Sequence, residues 1–404
     1  MAVGEALFPE MPMIDGIRLG TAKAGIKKPD RRDLVVIEIG EGANVAGTFT
    51  RNAFCAAPVH VAKRHLAQQA TRYLLINTGN ANAGTGKEGL RDAEVCCEAL
   101  GELAGAAAQA VLPFSTGVIG EPLPVERIRA GLPAALASLD GSHTAWRQAA
   151  EGILTTDTRI KGATATCEIG GRKVTVNGIA KGSGMIKPNM ATMLAFVATD
   201  AGVDQTLLET LLRESVDRSF NCITVDSDTS TNDACMLIAT GRGAHVSGDA
   251  DVAALRDTLD AVLVQLAQAI IRDGEGATKF VTLEVSEARS RQEALDVAFT
   301  VAHSPLVKTA LYASDANWGR ILAAVGRAPV DDFDVERVTI DLGEVRLVEQ
   351  GGRAMGYSEA AGSAVMARED IVIRIALGRG GAMATVWTSD LSHDYVSINA
   401  DYRS

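Results

Sequence analysis

Alternating and periodic apolar positions predict that strands and helices follow each other along the chain. Residues 33–39 (DLVVIEI) are rich in β-branched side chains and end at a Gly-Glu-Gly turn, which predicts a strand. Residues 73–76 predict a second strand, and residues 87–110, rich in Ala, Glu and Leu, predict a helix. Residues 204–218 and 251–272 repeat their apolar positions every three or four residues, which predicts two amphipathic helices.

Other segments predict further strands and, with the helices, indicate the fold class. Strands are expected at 163–169 and 172–176, and a glycine-rich loop then leads into a hydrophobic segment at 190–198. Beyond residue 280 the pattern predicts strands at 280–286, 296–301, 337–341, 345–348, 371–377 and 382–388. We therefore expect an α+β fold in which mixed sheets are layered with helices, with a C-terminal α+β unit from about residue 280.

Composition and charge narrow the class of protein. A chain of 404 residues can bury a large core without disulfides or a structural metal. Its 40 glycines and 4% aromatic content indicate a closely packed aliphatic core with many tight turns. The net charge of −11 and the absence of a dense Lys/Arg run argue against nucleic acid or an anionic membrane surface as the main partner.

The same sequence predicts a cytoplasmic protein. No apolar stretch is long enough to span a membrane, and the N-terminal segment carries acidic residues where a secretory signal would be basic. The six cysteines form no CxxC motif, so we expect small buried thiols in a reducing compartment.

Common cofactor and metal motifs are missing from the sequence. There is no P-loop, and Gly182-Ser183-Gly184 lacks the third glycine of a dinucleotide fingerprint. The histidines have no spacing typical of metal ligands. Residues 226–233 (DSDTSTND) begin like a calcium loop, but the sixth and twelfth positions are Thr231 and Leu237 instead of Gly and Glu. We interpret this segment as a polar turn and expect no metal and no organic cofactor.

The segment with the strongest chemical content is residues 178–196. It is a Gly/Ser loop with two lysines that runs into an apolar strand, and Thr192 lies where the loop meets the strand. From the residues alone, an ordinary turn that feeds a buried strand explains Thr192 through its β propensity. A catalytic hydroxyl at the same position is the alternative.

Nine motifs along the chain resemble one enzyme family. The stretch KGSGMIKPNMATML (181–194) is similar to the signature of the ornithine acetyltransferase family, also called the bifunctional glutamate N-acetyltransferase family of arginine biosynthesis. The other matching motifs are AGTFTRN (46–52), NTGNANAGTG (77–86), STGVIG (115–120), TTDT (155–158), STND (230–233), DGEGATK (273–279), LVKTALYASDANWGRI (306–321) and SINADYRS (397–404). The resemblance covers nearly the whole chain and implies a fold related to the β-aminopeptidases and ornithine acetyltransferases.

The resemblance implies that the chain cleaves itself. The bond between Ala191 and Thr192 would be cut, which gives an α chain of residues 1–191 and a β chain of residues 192–404. Thr192 would then be the catalytic nucleophile. Its hydroxyl is weakly nucleophilic by itself, but a free α-amine has a pKa of about 8 and can act as its base. Before cleavage that nitrogen is an amide, so maturation and activity would be linked.

Further catalytic and substrate-binding residues follow from the same resemblance. Thr116 and Gly117 match the pair that stabilises the oxyanion of the tetrahedral intermediate, the first through its hydroxyl and the second through its backbone N–H. Lys181 and Glu275 match charged residues of the substrate site. Glu275 is a candidate ligand for the α-amine of ornithine or glutamate, or a proton shuttle, and Lys181 is a candidate for binding a substrate carboxylate or for polarising the scissile carbonyl. Without the resemblance, each of these charges would be interpreted as a solvated loop residue.

Three more positions are implied to contact substrate. Thr155 matches a threonine in the TTDT turn, with Thr156 as the neighbouring alternative. Asn399 matches a C-terminal contact, and so does the last residue, Ser404, where many members of the family have threonine. Serine keeps both the hydroxyl and the terminal carboxylate, so little loss of function is expected.

The implied reaction is acetyl transfer from N2-acetylornithine to glutamate through an acetyl-Thr192 intermediate. Acetyl-CoA is a further donor in bifunctional members of the family and is therefore a candidate substrate. The family assembles two α/β pairs into a heterotetramer, which is the implied assembly. Two alternatives remain open: an N-terminal-threonine amidohydrolase or aminopeptidase, which passes its acyl group to water, and a protein without catalytic activity.

Overall fold

The computed structural model of the chain describes residues 2–5, 7–187 and 193–400. The strands are β1 (Ile17–Ala22), β2 (Leu34–Ile39), β3 (Asn44–Phe49), β4 (Tyr73–Asn80), β5 (Val111–Val118), β6 (Lys161–Ile169), β7 (Arg172–Lys181), β8 (Leu194–Thr199), β9 (Ile223–Thr224), β10 (Ala234–Ala239), β11 (Phe280–Ala288), β12 (Thr339–Leu342), β13 (Val345–Glu349), β14 (Gly352–Arg353), β15 (Asp370–Ala376) and β16 (Ala382–Ser389). The α-helices are α1 (Ala57–Gln68), α2 (Gly86–Ala104), α3 (Val125–Ala137), α4 (His143–Gly152), α5 (Gln205–Arg218), α6 (Gly248–Arg272), α7 (Arg291–Ala302), α8 (Pro305–Tyr312), α9 (Trp318–Gly326), α10 (Glu359–Met366) and α11 (His393–Ala400).

The chain divides into two compact units. The larger unit comprises Ala6–Asn221 and Asp228–Ile270. The smaller unit comprises Met1–Glu5, Cys222–Ser227 and Ile271–Ser404.

The larger unit is built around two mixed sheets that share one core. One sheet has the strand order β1-β2-β4-β5 and the other has the order β3-β10-β8-β7-β6. Apolar side chains from both sheets form a single buried cluster, in which Phe114 of β5 meets Phe196 of β8 edge to face with 5.3 Å between ring centroids. The two sheets therefore pack face to face.

Helices cover the outer faces of both sheets in the larger unit. Apolar residues of α1, α2 and α3 pack on the outer side of the first sheet. On the second sheet, Gly178 of β7 faces Leu266 and Val262 of α6, and α5 lies against β3 and β10. The order of layers is thus helix, sheet, sheet, helix, which is one way to bury both faces of a sheet.

The centre of the second sheet is the part of the fold that positions the candidate site. All residues of β8 and β10 are buried, which explains why both read as continuous apolar runs rather than alternating patterns. β8 pairs with β10 in parallel and with β7 in antiparallel orientation. Its first residue, Leu194, lies opposite Ala234 of β10 and Lys181 of β7. The end of β7 and the start of β10 therefore flank the start of β8.

The smaller unit contains a mixed sheet with its own core. Its strand order within the described residues is β14-β13-β12-β15-β11-β16-β9. Buried residues of α7 and α9 pack with the strands into one apolar cluster.

One predicted strand of the smaller unit is wrong. Residues 296–301 lie inside the helix α7. Ser290 caps this helix by accepting a hydrogen bond from the Glu293 N–H at 3.1 Å, and the buried positions Ala294, Val297 and Val301 follow helical spacing. The β-branched side chains of this segment favour a strand locally, but packing against β11 and β16 stabilises the helix.

The α+β fold class with mixed, helix-covered sheets is confirmed. Among the helices in the part of the chain that the structure describes, none is both long enough and apolar enough to cross a membrane.

Candidate active site

Thr116 and Gly117 lie at the end of β5, beside the end of β4. The two strands run parallel, with Thr78 opposite Thr116 and Gly79 opposite Gly117. Gly117 has φ of +138°, and a Cβ there would lie 2.3 Å from the carbonyl carbon of Gly79 and 2.5 Å from the backbone nitrogen of Asn80. Only glycine permits this close approach of two backbones, so the position needs this residue type.

Buried amide side chains fix this end of the two strands. Ser115 donates to the Asn77 Oδ1 at 2.6 Å, and the Asn77 Nδ2 donates to the Asn80 carbonyl at 2.9 Å. Asn232, two residues before the start of β10, donates to the carbonyls of Ala81 at 2.6 Å and Ser115 at 2.8 Å. The STND motif therefore holds the STG motif through backbone carbonyls.

Lys181 contacts Thr116 from the other sheet. Lys181 is the last residue of β7 and is only 3% exposed. Its Nζ donates a hydrogen bond to the Thr116 Oγ1 at 3.4 Å. Because the Thr116 oxygen accepts this bond, its own hydroxyl proton is left to donate elsewhere. An ammonium group next to the hydroxyl also makes it a better donor toward a developing negative charge.

Asp157 holds Lys181 and a second lysine. The Asp157 side chain is 0% exposed; its Oδ1 lies 2.7 Å from the Lys161 Nζ, and its Oδ2 lies 3.9 Å from the Lys181 Nζ. Backbone N–H groups of Gly182 and Thr155 donate to the same carboxylate at 2.7 and 3.0 Å. Burial alone would raise the pKa of Asp157, but the two ammonium groups outweigh it and hold that pKa well below its usual range.

The TTDT turn is joined to the Gly/Ser loop after β7. Thr155 is half-buried, and its N–H is one of the donors to Asp157. Its neighbour Thr156 shares a hydrogen bond of 2.7 Å with the hydroxyl of buried Ser183. Both threonines thus lie beside the loop that begins with Lys181.

Asp233 contacts Met193, the second residue of the predicted β chain. Its Oδ1 accepts a hydrogen bond of 2.8 Å from the Met193 N–H, and it is 1% exposed. Among the described residues, no group is in hydrogen-bonding geometry to its Oδ2. Burial raises the pKa of Asp233 well above its usual range, although the Met193 N–H, the Ser230 hydroxyl and the Lys181 ammonium all favour the charged form.

In the smaller unit, the structure brings Glu275 and Asn399 together. Glu275 is 8% exposed and lies in the turn between α6 and β11. The Asn399 Nδ2 of α11 donates to its Oε2 at 2.8 Å. Beside it, Gly276 has φ of +69°, and a Cβ there would lie 2.5 Å from the backbone nitrogen of Tyr395. A glycine at this position is therefore needed for α11 to lie against the turn.

The predicted site residues fall into two groups. Thr116 and Lys181 are in contact, and Thr155 adjoins them through Asp157. Glu275 and Asn399 form a second group, which belongs to the other compact unit.

Three predicted residues lie outside the described part of the chain. They are Ala191 and Thr192, which flank the predicted cleavage point, and the C-terminal Ser404.

Sequence reasoning missed three buried residues of this region, Asp157, Asn232 and Asp233. Each lies inside a motif that carried the family resemblance, TTDT or STND, and each is a polar residue that the structure buries. A polar residue inside a matched motif was therefore the signal that could have identified them. Among the described residues, no group of three His, Cys, Asp or Glu side chains could hold a metal ion.

Comparisons with known proteins agree with the motifs. Residues 18–404 match the ArgJ family. The chain is 56% identical over 409 residues to the arginine biosynthesis bifunctional protein ArgJ of Pseudomonas fluorescens, with 100% of both chains covered. It is 59% identical over 394 residues to the protein of the same name from Methylococcus capsulatus, covering 97% of this chain and 96% of that protein.

A solved structure is also similar. The ornithine acetyltransferase of Mycobacterium tuberculosis, crystallised with ornithine, is 30% identical, with 43% of this chain and 92% of that chain covered and a TM-score of 0.39. The family match and the full-length relatives confirm the resemblance that the motifs indicated. The chain belongs to the ArgJ family.

Proposed function

We propose that this chain is a self-cleaving acetyltransferase of arginine biosynthesis, which moves the acetyl group of N2-acetylornithine to glutamate. Membership of the ArgJ family and two full-length relatives named arginine biosynthesis bifunctional proteins support this assignment. Thr192 is its nucleophile, and the peptide bond after Ala191 is the bond that is cleaved.

One observation carries the proposal. The buried Lys181 ammonium donates to the Thr116 hydroxyl, next to a Gly117 that the crowding of β4 and β5 requires. Acyl transfer needs donors that are fixed before charge develops on the acetyl oxygen, and this pair supplies a polarised hydroxyl and a backbone N–H. The same lysine lies opposite Leu194, two residues beyond Thr192 in the chain. Lys181 therefore connects the Thr116 donor on β5 to the strand that lies next to the start of β8.

Self-cleavage produces the base that acetyl transfer requires. The Thr192 hydroxyl attacks the Ala191 carbonyl carbon, the acyl group moves from nitrogen to oxygen, and water hydrolyses the resulting ester. The products are the Ala191 carboxylate and a free α-amine on Thr192. That amine, with an ordinary pKa of about 8, can take the hydroxyl proton in later turnovers.

Transfer proceeds in two half-reactions. In the first, the Thr192 oxygen bonds to the acetyl carbon, Thr116 and Gly117 hold the oxyanion, and the C–N bond breaks as ornithine takes the proton. In the second, the glutamate amine attacks the acetyl carbon of acetyl-Thr192, the C–O bond to Thr192 breaks as its oxygen regains a proton from the glutamate nitrogen, and N-acetylglutamate leaves. Acetyl transfer between two amines is nearly thermoneutral, so positioning and charge stabilisation suffice without a metal or organic cofactor.

The remaining residues are assigned to substrate binding. The Glu275 carboxylate is suited to a substrate ammonium, and Asn399 fixes its orientation through the 2.8 Å hydrogen bond. Thr155 and the C-terminal Ser404 complete the predicted contacts. For Lys181, the bond to Thr116 supports a role in the oxyanion site in addition to binding a substrate carboxylate.

A second acetyl donor, a heterotetrameric assembly and a cytoplasmic location are also proposed. Acetyl-CoA is included as a second acetyl donor, because the two full-length relatives are named bifunctional. Two copies of the cleaved α/β pair form the proposed heterotetramer, and the cytoplasm is its proposed location.

The test is glutamate-dependent release of ornithine from N2-acetylornithine. We expect Thr192→Ala to remain a single chain and to release no ornithine, whereas Thr166→Ala, a control at an exposed position of β6, behaves as wild type. Equal release with and without glutamate in the wild-type protein would show an amidohydrolase instead. Acetyl transfer by Thr192→Ala would refute the assignment of the nucleophile.

A further inference from the structure

We propose that Asn232 is a positioning residue for the two oxyanion donors, Thr116 and Gly117. Its side-chain amide holds the segment of β5 that carries the Thr116 hydroxyl and the Gly117 N–H, and so fixes the distance between these donors and their orientation. The inference rests on the proposed function, since it assumes that Thr116 and Gly117 stabilise the oxyanion during acetyl transfer.

Regular strand pairing does not fix the segment that carries the donors. Asn80 of β4 lies opposite both Thr116 and Val118 of β5, so the pairing is irregular around Gly117. Gly117 itself has φ of +138°, far from the dihedral angles of an ordinary strand. Such an irregularity disrupts the ladder of hydrogen bonds locally, so other contacts are needed to hold the segment.

Asn232 supplies these contacts on both sides of the donors. Its Nδ2 donates to the Ser115 carbonyl at 2.8 Å, directly before the two donors, and to the Ala81 carbonyl at 2.6 Å. The Ala81 N–H in turn donates to the Val118 carbonyl at 2.9 Å, directly after the donors. One side chain therefore links both ends of the segment 115–118, and the donors lie in its middle.

The hydrogen bonds of Asn232 require an amide side chain. Asn232 is 7% exposed, and its Oδ1 accepts a hydrogen bond from the Thr231 hydroxyl. Its Nδ2 carries two N–H groups, which match the two carbonyls of Ala81 and Ser115. An ionised aspartate has nearly the same size but no N–H group to donate. The residue type at this position therefore follows from the two carbonyls that it holds.

The loop that carries Asn232 is itself held by the AGTFTRN motif. The buried Thr50 hydroxyl donates to the Ser230 carbonyl at 2.8 Å, and the Thr50 N–H donates to the Asp233 carbonyl at 3.0 Å. These two carbonyls lie on either side of Asn232 in the chain. The backbone of Asn232 is therefore fixed from both directions, which gives the AGTFTRN motif a role in the same site.

Fixed donors matter because they act on a charge that develops during the reaction. Such donors lower the barrier when they are in place before the charge appears. Both proposed half-reactions pass through a tetrahedral intermediate at the acetyl carbon, so the same donors serve each of them. Loss of Asn232 should therefore slow both half-reactions, while the contacts that bind the substrates in their ground states remain.

The experiment compares Asn232→Ala with Asn177→Ala. Asn177 of β7 is a matched control, because it is also buried, accepts the Thr164 hydroxyl at 2.7 Å and donates to the Pro12 carbonyl at 2.7 Å. Intact mass gives the fraction of cleaved chain, and kcat for glutamate-dependent release of ornithine is expressed per cleaved chain. Tm reports the loss of stability in both variants.

We expect Asn232→Ala to lower kcat by about 10- to 100-fold with nearly unchanged KM, because a small displacement of catalytic groups is enough for such a loss. Asn177→Ala should keep the wild-type kcat and KM at a similar loss of Tm. Asn232→Ser is the milder variant for the case that Asn232→Ala does not fold or cleave. Its hydroxyl has one donor in place of two, so it should also show a lower kcat at unchanged KM.

A double-variant cycle with Thr116→Ala separates positioning from general destabilisation. Removing the Thr116 hydroxyl should lower kcat by about 100-fold or more when Asn232 is present. The same substitution should cost less in the Asn232→Ala or Asn232→Ser background, because a displaced donor contributes less. Equal costs in the two backgrounds would overturn the positioning role, and so would an equal loss of kcat in Asn177→Ala.

Failure of this inference differs from failure of the proposed function. Wild-type kcat in the cleaved Asn232 variants, with Thr116→Ala impaired and Thr192→Ala inactive, would overturn the role of Asn232 alone. An active Thr192→Ala would overturn the proposed function.

Discussion

Replacing Asp157 by asparagine tests whether one buried carboxylate holds two lysines of the candidate active site. In the wild-type protein, its Oδ1 lies 2.7 Å from the Lys161 Nζ and its Oδ2 lies 3.9 Å from the Lys181 Nζ. The side-chain exposures of the three residues are 0%, 1% and 4%, so water screens these charges very little. Asparagine has nearly the same size but leaves two buried ammonium groups without their shared anion.

The expected loss of stability is large. Removing one partner of a buried ion pair costs about 3–5 kcal/mol, because the remaining charge stays buried without compensation. The N–H groups of Gly182 and Thr155 also bond to different oxygens of Asp157, and an asparagine has only one acceptor oxygen. We therefore expect Asp157→Asn to lower the free energy of unfolding by about 3–5 kcal/mol, a large part of the usual total of about 5–15 kcal/mol.

Urea unfolding at neutral pH measures this loss, with Lys161→Met and the double variant as controls. The double variant removes the carboxylate together with its nearest ammonium, so its loss should be smaller than the sum of the two single losses. A loss below about 1 kcal/mol for Asp157→Asn would refute the reasoning, since this is the range of exposed ion pairs.

The pH dependence gives a second check with a definite sign. The pKa of Asp157 is lowered in the folded protein, so its contribution is present above the unfolded-state pKa of about 3.9 and is lost as the pH falls toward the folded-state value. The difference in stability between wild type and Asp157→Asn should stay constant near neutral pH and shrink below about pH 4. A difference that grew as the solution became more acidic would contradict the assignment.

Further variants test the other contacts. Gly117→Ala should abolish acetyl transfer and lower Tm, because its Cβ would lie 2.3 Å from a backbone atom. The control Gly120→Ala should stay active with about 1 kcal/mol of backbone strain, because Gly120 has φ of +85° but its Cβ would have no atom within 4 Å. Equal activity of the two variants would refute the crowding argument. Asn232→Ala should destabilise by about 1–3 kcal/mol in urea unfolding, because two buried carbonyls lose their donor, and no change would contradict this. Asn399→Ala should raise KM for N2-acetylornithine more than it lowers kcat, because Glu275 loses the 2.8 Å hydrogen bond from the Asn399 side chain. An effect on kcat alone would argue against substrate binding by Glu275.

Periodic segments were predictable from the sequence where one face of an element is buried. The strand at 33–39 and the helices at 204–218 and 251–272 correspond closely to β2, α5 and α6. The start of β8 was less predictable, because a fully buried strand has no alternation to mark its boundary. The strand predicted at 296–301 is wrong for a different reason, since tertiary packing of α7 overrides the local β-strand preference of this segment.

The residues of the candidate site could be predicted from the sequence only where they belong to a recognised motif. Thr116 with Lys181 and Glu275 with Asn399 were named from motifs, and the structure places each pair in contact. Asp233 lies inside the STND motif, but the motif alone does not predict its contact with Met193, because that contact comes from strand register. The parallel pairing of β10 with β8 brings it to Met193, which is 40 residues away in the chain.

The most direct test of the account is the intact mass of the purified protein after incubation with N2-acetylornithine in the absence of glutamate. We expect residues 192–404 to appear as a separate chain carrying one acetyl group, and added glutamate to remove this group. An uncleaved chain of 404 residues, or a cleaved chain that releases ornithine without ever carrying acetyl, would contradict the central claim.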